Sequence, residues 1–286
     1  MGIFIAAMLV TVVAFAVMVR VLLWRRTWPE RRLFLIIAAF TLPLSALAFH
    51  ALRLPLDHWL SGRLAGSPGL LTALRLCYAP LTEEPAKLLV FCVPWVWRQV
   101  DHGNLMRAAL AVGLGFGVGE AWMLAHLLSA NPDIVGQPWY AFQGFIFERA
   151  MTFFIHAGMT AIALLGLVRR HAGMGLAMIG MAMLCHFLVN LPIYLVGLDS
   201  AGFSKGAKSF LLAIWVQACA VTAIVWLARL GGWRMLMVRC PECAITYMPS
   251  LMFGVNLGSR RYERCPACRR WHLISHDDRI INKVAP

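Results

Sequence analysis

The stretch Leu70–Trp97, LLTALRLCYAPLTEEPAKLLVFCVPWVW, decides how the chain is read. An apolar run of this length predicts a membrane-spanning helix, since about 20 residues at about 1.5 Å each cross a hydrocarbon core of about 30 Å. Yet Glu83 and Glu84 stand side by side in its middle. A charged side chain at that depth costs at least about 2.5–3.5 kcal/mol on insertion scales, so it persists where it is partnered, faces a polar cavity or does chemistry. Lys87, four residues after Glu83 and three after Glu84, can neutralise one carboxylate along the same helix face and leave the other available as a base. Pro80 and Pro85 flank the pair, and each removes a backbone donor and kinks the helix, freeing carbonyls that are tolerated in a membrane only inside protein or beside water.

The rest of the chain carries the same signal. Hydrophobic residues make up 60% of it and charged residues 14%, and the mean hydropathy is +0.72, which excludes a soluble domain. The net charge of +13 does not call for nucleic acid, and none is expected as a partner. In a membrane protein, excess Arg and Lys orients helices toward the cytoplasmic face and its anionic lipid. The first span has no basic residue before it and is longer than a signal-peptide core, so it reads as a retained helix. Met1-Gly2 lacks the hydroxyl residue that a myristoylation signal wants at position six.

The expected fold is an all-α polytopic membrane protein of about seven transmembrane helices plus a small C-terminal zinc ribbon. The spans read as Ile3–Trp24, Leu33–Leu52, Leu70–Trp97, Met106–Leu128, Phe142–Val168, Gly173–Leu198 and Phe210–Leu230. Arg25, Arg26, Arg31, Arg32, Arg98, Arg107, Arg169 and Arg170 fall on one side with the basic tail, while Arg53, Arg63, Lys205 and Lys208 fall on the other. The positive-inside rule then places the amino terminus outside and the carboxyl terminus in the cytoplasm, in what is expected to be a bacterial inner (plasma) membrane. Residues 1–235 form the membrane domain, with its motifs within 70–198, and residues 238–286 form the tail.

This topology gives each polar intramembrane residue a depth. Glu83 precedes Trp97 by 14 residues, Glu120 follows Met106 by 14, His156 precedes Val168 by 12 and His186 follows Gly173 by 13. At about 1.5 Å per residue all four lie roughly 18–21 Å from the cytoplasmic ends, near the midplane. Accident does not favour a shared depth, so the four are expected to face one cavity. Asn190 follows His186 by one turn and Arg149 precedes His156 by two turns, both nearer the outside. Gly113, Gly115, Gly117 and Gly119 precede Glu120 and allow close backbone approach.

Glu83-Glu84-x-x-Lys87, Phe116-x-x-x-Glu120, His156 and His186-x-x-x-Asn190, in this order on successive spans, resemble the PrsW family of intramembrane proteases, which is related to the CAAX prenyl proteases. The resemblance covers about Leu70 to Leu198. Two departures from the CAAX pattern stand out: the second motif ends in Glu120 where that pattern has His, leaving His156 as the substitute, and the cation follows the pair at a shorter spacing. The resemblance implies an intramembrane endopeptidase that cuts a membrane-embedded or juxtamembrane segment of another protein. Peptide hydrolysis needs a base for water, a donor for the leaving amine and donors facing the oxyanion. Glu83 or Glu84 would be the base, assisted by His156, with His186 and Asn190 on the oxyanion and Arg149 and Lys87 as cations facing the substrate. Glu120 either orients a histidine or completes a catalytic divalent-metal site. No His-Glu-x-x-His is present, so a zincin-like site is excluded.

Other readings compete. The Glu pair can be structural with Lys87, the histidines can serve helix packing, and Arg149 can snorkel to the interface. A proton or divalent-metal transporter would use the same carboxylates and histidines, but would stagger them through the membrane thickness. A membrane-anchored adaptor would leave the work to the tail. In that tail Cys240-x-x-Cys243 and Cys265-x-x-Cys268, 21 residues apart, predict a structural zinc site, with a rubredoxin-like iron site as the alternative. Disulfides do not suit the reducing cytoplasm. Arg260, Arg261, Arg264, Arg269 and Arg270 surround the knuckles as a basic face that can meet lipid headgroups, nucleic acid or a cytoplasmic protein partner.

Overall fold

A computed structural model describes residues 1–24, 26–168, 172–197, 204–230, 238–247, 255–257 and 260–275. Arg25, Arg169, Arg170, Leu198 and the expected boundary between residues 235 and 238 lie largely outside them. The chain divides into two compact units, Met1–Leu227 and Ala228–Pro286.

The first unit is a helical bundle of α1 (Gly2–Leu23), α2 (Trp28–Arg63), α3 (Pro68–Leu88), α4 (Leu105–Leu128), α5 (Gln143–Val168), α6 (Ala172–Gly197) and α7 (Lys205–Leu230). Six of them are long and apolar enough to cross a membrane, and the chain is a polytopic helical membrane protein. The exception is α3, of spanning length but carrying Arg75, Glu83, Glu84 and Lys87. It also stops short of the expected Trp97: after Leu88 the chain makes a tight turn over Leu89–Cys92 and restarts at Pro94, because Val93 is held extended before that proline. The second helix is longer than the expected Leu33–Leu52. It begins at a capping box of Thr27 and Glu30, passes through a wide π turn at Ala48–Arg53 and continues to Arg63.

The bundle is built around α4, whose apolar window is 83% buried against 17% for α6 and α7. Its glycines explain why. A Cβ at Gly113 would meet the Phe153 carbonyl and one at Gly117 the Phe153 ring, while Gly115 and Gly119 back onto the carbonyls of Ala38 and Leu42. Small residues on both faces let α5 and α2 approach α4 at backbone distance. On the far side of α5, Ile155, Met159 and Ala163 pack with Ala182 of α6 and Val216 and Ala220 of α7. A Gly119→Ala substitution must push α2 away from α4, and overpacking of this kind costs about 1–3 kcal/mol. Thermal unfolding in detergent should show that loss, whereas Gly180→Ala, with open space around its Cβ position, should be tolerated.

The second unit holds two small antiparallel sheets: β1 (Val238–Arg239) with β2 (Thr246–Tyr247), and β3 (Val255–Leu257), β4 (Arg260–Arg264) and β5 (Trp271–Ser275) in that order. The two Cys-x-x-Cys turns are built alike. In each, the first Cys accepts from the amide four residues on, Ala244 in one and Arg269 in the other, and those two residues adopt left-handed backbone at φ 58° and 60°. Among the described residues of this unit the buried apolar core is Cys240, Tyr247 and Cys265. A core that small does not hold a segment together by apolar burial alone.

Candidate functional site

Four helices of the first unit carry the polar groups expected at one depth, and a cavity of about 140 Å³ receives all four. Glu83, Glu120, His156, His186 and Asn190 all line it. Arg53, Glu83, Glu120 and His186 come from the C-terminal halves of α2, α3, α4 and α6, and His156 from the middle of α5.

The adjacent carboxylates divide their work, because neighbours on a helix project about 100° apart. Glu84 turns inward and is 2% exposed. Its Oε1 accepts from Lys87 Nζ at 2.6 Å and from His186 Nδ1 at 2.6 Å. Lys87, expected among the substrate contacts, has no exposed surface and lies behind Glu84, with its ammonium 4.9 Å from the Phe116 ring centroid. Glu83 turns to the cavity. Arg53 Nη1 donates to its Oε1 at 2.8 Å, and His186 Nε2 stands 3.9 Å from its Oε2. That Oε2 is buried and has no hydrogen-bond partner among the described residues. His186 is thus hydrogen-bonded to Glu84 and stands near Glu83 without bonding to it.

A second ion pair faces the first. Glu120 Oε2 accepts from Arg149 Nη1 at 3.0 Å and lies 3.0 Å from His156 Nε2. Arg149 also pairs with Glu148, so it is a structural cation of the cavity wall as well as a candidate for the substrate. With Nε2–H given to Glu120, His156 carries its lone pair on Nδ1, a buried atom without a hydrogen-bond partner among the described residues. Phe116 sits edge-on to His156 at 5.1 Å, and the two histidine rings are 6.0 Å apart. The resulting wall is polar, and Arg53 and Glu148 are partly exposed beside it.

Sequence reasoning missed Arg53, which it assigned to an outside loop. The residue ends the π turn of α2, packs its guanidinium 5.3 Å from the Phe49 ring centroid and reaches back to Glu83. A basic residue at a span end is ordinarily a topology signal, and nothing in the local pattern marks this one as tertiary.

One ligand atom from each of Glu83, Glu120 and His156 lies within 4.8 Å of the others, a spacing able to close on a divalent ion. The cationic positions beside both carboxylates are already taken by Arg53 and Arg149.

In the second unit the four cysteine sulfurs cluster. Cys240 and Cys268 are 3.7 Å apart, as are Cys243 and Cys265. Four thiolates at about 2.3 Å from zinc stand about 3.8 Å from one another, so the donor set fits that metal. The electrostatics agree. Burial raises the Cys240 thiol, but the amides of Cys243 and Glu242 bring it down to about 6. For Cys268 the Arg270 amide lowers the thiol, while burial and the neighbouring sulfurs push it up to about 12. Four sulfurs this close do not all ionise without a cation between them. His272 Nε2 lies 3.4 Å from Cys268 Sγ and supports it from outside the set.

Comparison of the chain with models of known protein families found no match, and comparisons with curated proteins and with solved structures found none either.

Proposed function

We propose that the chain is an intramembrane endopeptidase, similar in its motifs to the PrsW proteases, that hydrolyses a membrane-embedded or juxtamembrane peptide bond of a protein substrate. The observation that carries this reading is Glu83: a buried carboxylate pinned at one oxygen by Arg53, with its other oxygen unpaired on the wall of a cavity shared with His156, His186 and Asn190. A structural ion pair uses both partners fully, as Glu84 and Lys87 do; Glu83 keeps a free acceptor.

In this reading Glu83 Oε2 takes a proton from water, with His156 Nδ1 as a second acceptor orienting it. The hydroxide oxygen bonds to the scissile carbonyl carbon, and the oxyanion faces His186 and the Asn190 amide. His186 shares its Nδ1 with Glu84 and turns its Nε2 toward the cavity. The proton on Glu83 passes to the leaving nitrogen as the C–N bond breaks. Glu84 and Lys87 act at one remove, holding His186. Peptide cleavage of this kind is balanced by water alone.

The cavity limits the substrate. At about 140 Å³ it has room for water beside a peptide unit but not for a helix about 10–12 Å across. The scissile segment therefore enters unwound. The charge distribution orients the chain with its amino terminus outside and its tail in the cytoplasm of a bacterial inner membrane, which puts the open side of the cavity toward the outer leaflet. Drawing Arg53 into the site leaves fewer loop cations on that side and sharpens the asymmetry.

A divalent ion held by Glu83, Glu120 and His156 is the second reading, favoured by the proximity of their ligand atoms; it would polarise the carbonyl or the water. Glu120→Gln separates the two. If Glu120 orients His156, the amide lowers cleavage by a modest factor and leaves metal content unchanged; a ligand role removes both. Asn190→Ala should lose about 10²–10³ in rate, the usual cost of one oxyanion donor. Cleavage assays paired with metal analysis of the purified variants give both readouts.

A further inference from the structure

The zinc unit presents a sheet face whose composition does not suit water. In the β4–β5 hairpin, Tyr262 pairs with Leu273 and Arg264 with Trp271, and residues directly opposite share a face. One face is spent inward, with Glu263 2% and His272 9% exposed. The other carries Tyr262 at 43%, Leu273 at 43% and Trp271 at 49%, beside exposed Arg264. Tyr262 and Trp271 stack across the strands with centroids 5.3 Å apart. The solvent face of an antiparallel sheet is ordinarily polar.

Three observations choose the occupant. Tyr and Trp beside Leu and Arg are the residues of a bilayer interface, where amphipathic rings sit at headgroup level and guanidinium meets lipid phosphate. Among the described side chains Arg270 is paired with Glu242, so it is not free to extend Arg264 into the continuous cationic track that a nucleic-acid backbone needs. Finally, seven residues, Gly231-Gly232-Trp233-Arg234-Met235-Leu236-Met237, join α7 to β1. At about 3.3–3.6 Å per residue, whatever their conformation, they keep β1 within about 30 Å of the end of the last span, so a bilayer surface is always close.

We infer that the Tyr262, Trp271, Leu273 and Arg264 face of the ribbon docks on the headgroup layer of an anionic bilayer. The surface is independent of the protease reading, and so is its test. The full-length, zinc-loaded protein is labelled with fluorotryptophan and placed in nanodiscs of phosphatidylcholine alone or mixed with phosphatidylglycerol. The Trp271 resonance is identified by its loss in Trp271→Phe. In discs with phosphatidylglycerol, a lipid carrying a doxyl group high on its acyl chain should broaden this resonance, and a water-soluble quencher should not reach it. High salt should reverse both effects. Arg264→Gln should weaken docking about five-fold, the share of one cation near an anionic surface. Tyr262→Ser with Leu273→Ser should abolish it while the four-sulfur site keeps its zinc. A Trp271 signal that stays open to the soluble quencher in anionic discs overturns the proposal. So does protection that appears only on adding an oligonucleotide or a cytoplasmic protein fraction.

Discussion

Glu83→Gln should lower cleavage by about 10²–10⁴-fold, the range of a general base, while expression and insertion persist. The amide fills the same volume and still accepts from Arg53, but it cannot take the proton of water. Arg53, partly exposed at the cavity mouth, tolerates the loss of its counter-charge. The neighbouring substitution behaves differently. Glu84→Gln strands the ammonium of Lys87, which has no exposed surface, and breaking a buried pair from one side costs about 3–5 kcal/mol. Thermal unfolding in detergent should therefore fall sharply for Glu84→Gln and little for Glu83→Gln, with the activity loss of Glu83→Gln occurring in a folded protein. His156→Ala should approach Glu83→Gln in severity, because it removes the second acceptor and leaves Glu120 to Arg149 alone.

Cys243→Ser should unfold the ribbon. Zinc supplies an apparent binding free energy of about 10–16 kcal/mol in small zinc domains, and the apolar core among the described residues, Cys240, Tyr247 and Cys265, is too slight to replace it. Metal analysis should find one zinc per chain in the parent and none bound by the variant's tail, with loss of amide protection in β4 and β5. The bundle, a separate compact unit, should keep its unfolding transition. One zinc retained with unchanged protection would exclude the four-sulfur site.

Much of this was legible before any coordinates. Apolar runs gave the spans because a bilayer demands about 20 apolar residues at a time, and counting along them brought Glu83, Glu120, His156 and His186 to one level. The Cys-x-x-Cys spacing gave the sulfur cluster for a local reason, since each knuckle is a single turn. What stayed hidden was tertiary. The sequence reading extended α3 to Trp97, although Pro94 forces Val93 out of the helical region. It ended α2 at Leu52, one residue short of the Arg53 that the π turn delivers to Glu83. It left the two adjacent carboxylates as equivalent candidates. Their 100° separation on the helix already required different surroundings, but only the positions of His186, Lys87 and Arg53 show which of them meets the cavity.

The most direct test is cleavage of a library of single-pass membrane reporters by the purified protein in liposomes, with the Glu83→Gln and Glu84→Gln variants run beside the parent and proton and divalent-metal flux recorded on the same vesicles. The proposed chemistry predicts that the parent cuts at least one reporter near the bilayer, that Glu83→Gln slows the cut by about 10²–10⁴-fold in a folded protein, and that flux does not differ between them. Cleavage by Glu83→Gln at the parent rate would contradict it. So would vesicles in which no reporter is ever cut while proton or metal flux falls in the variants, a result that would make the same carboxylates and histidines a transport pathway.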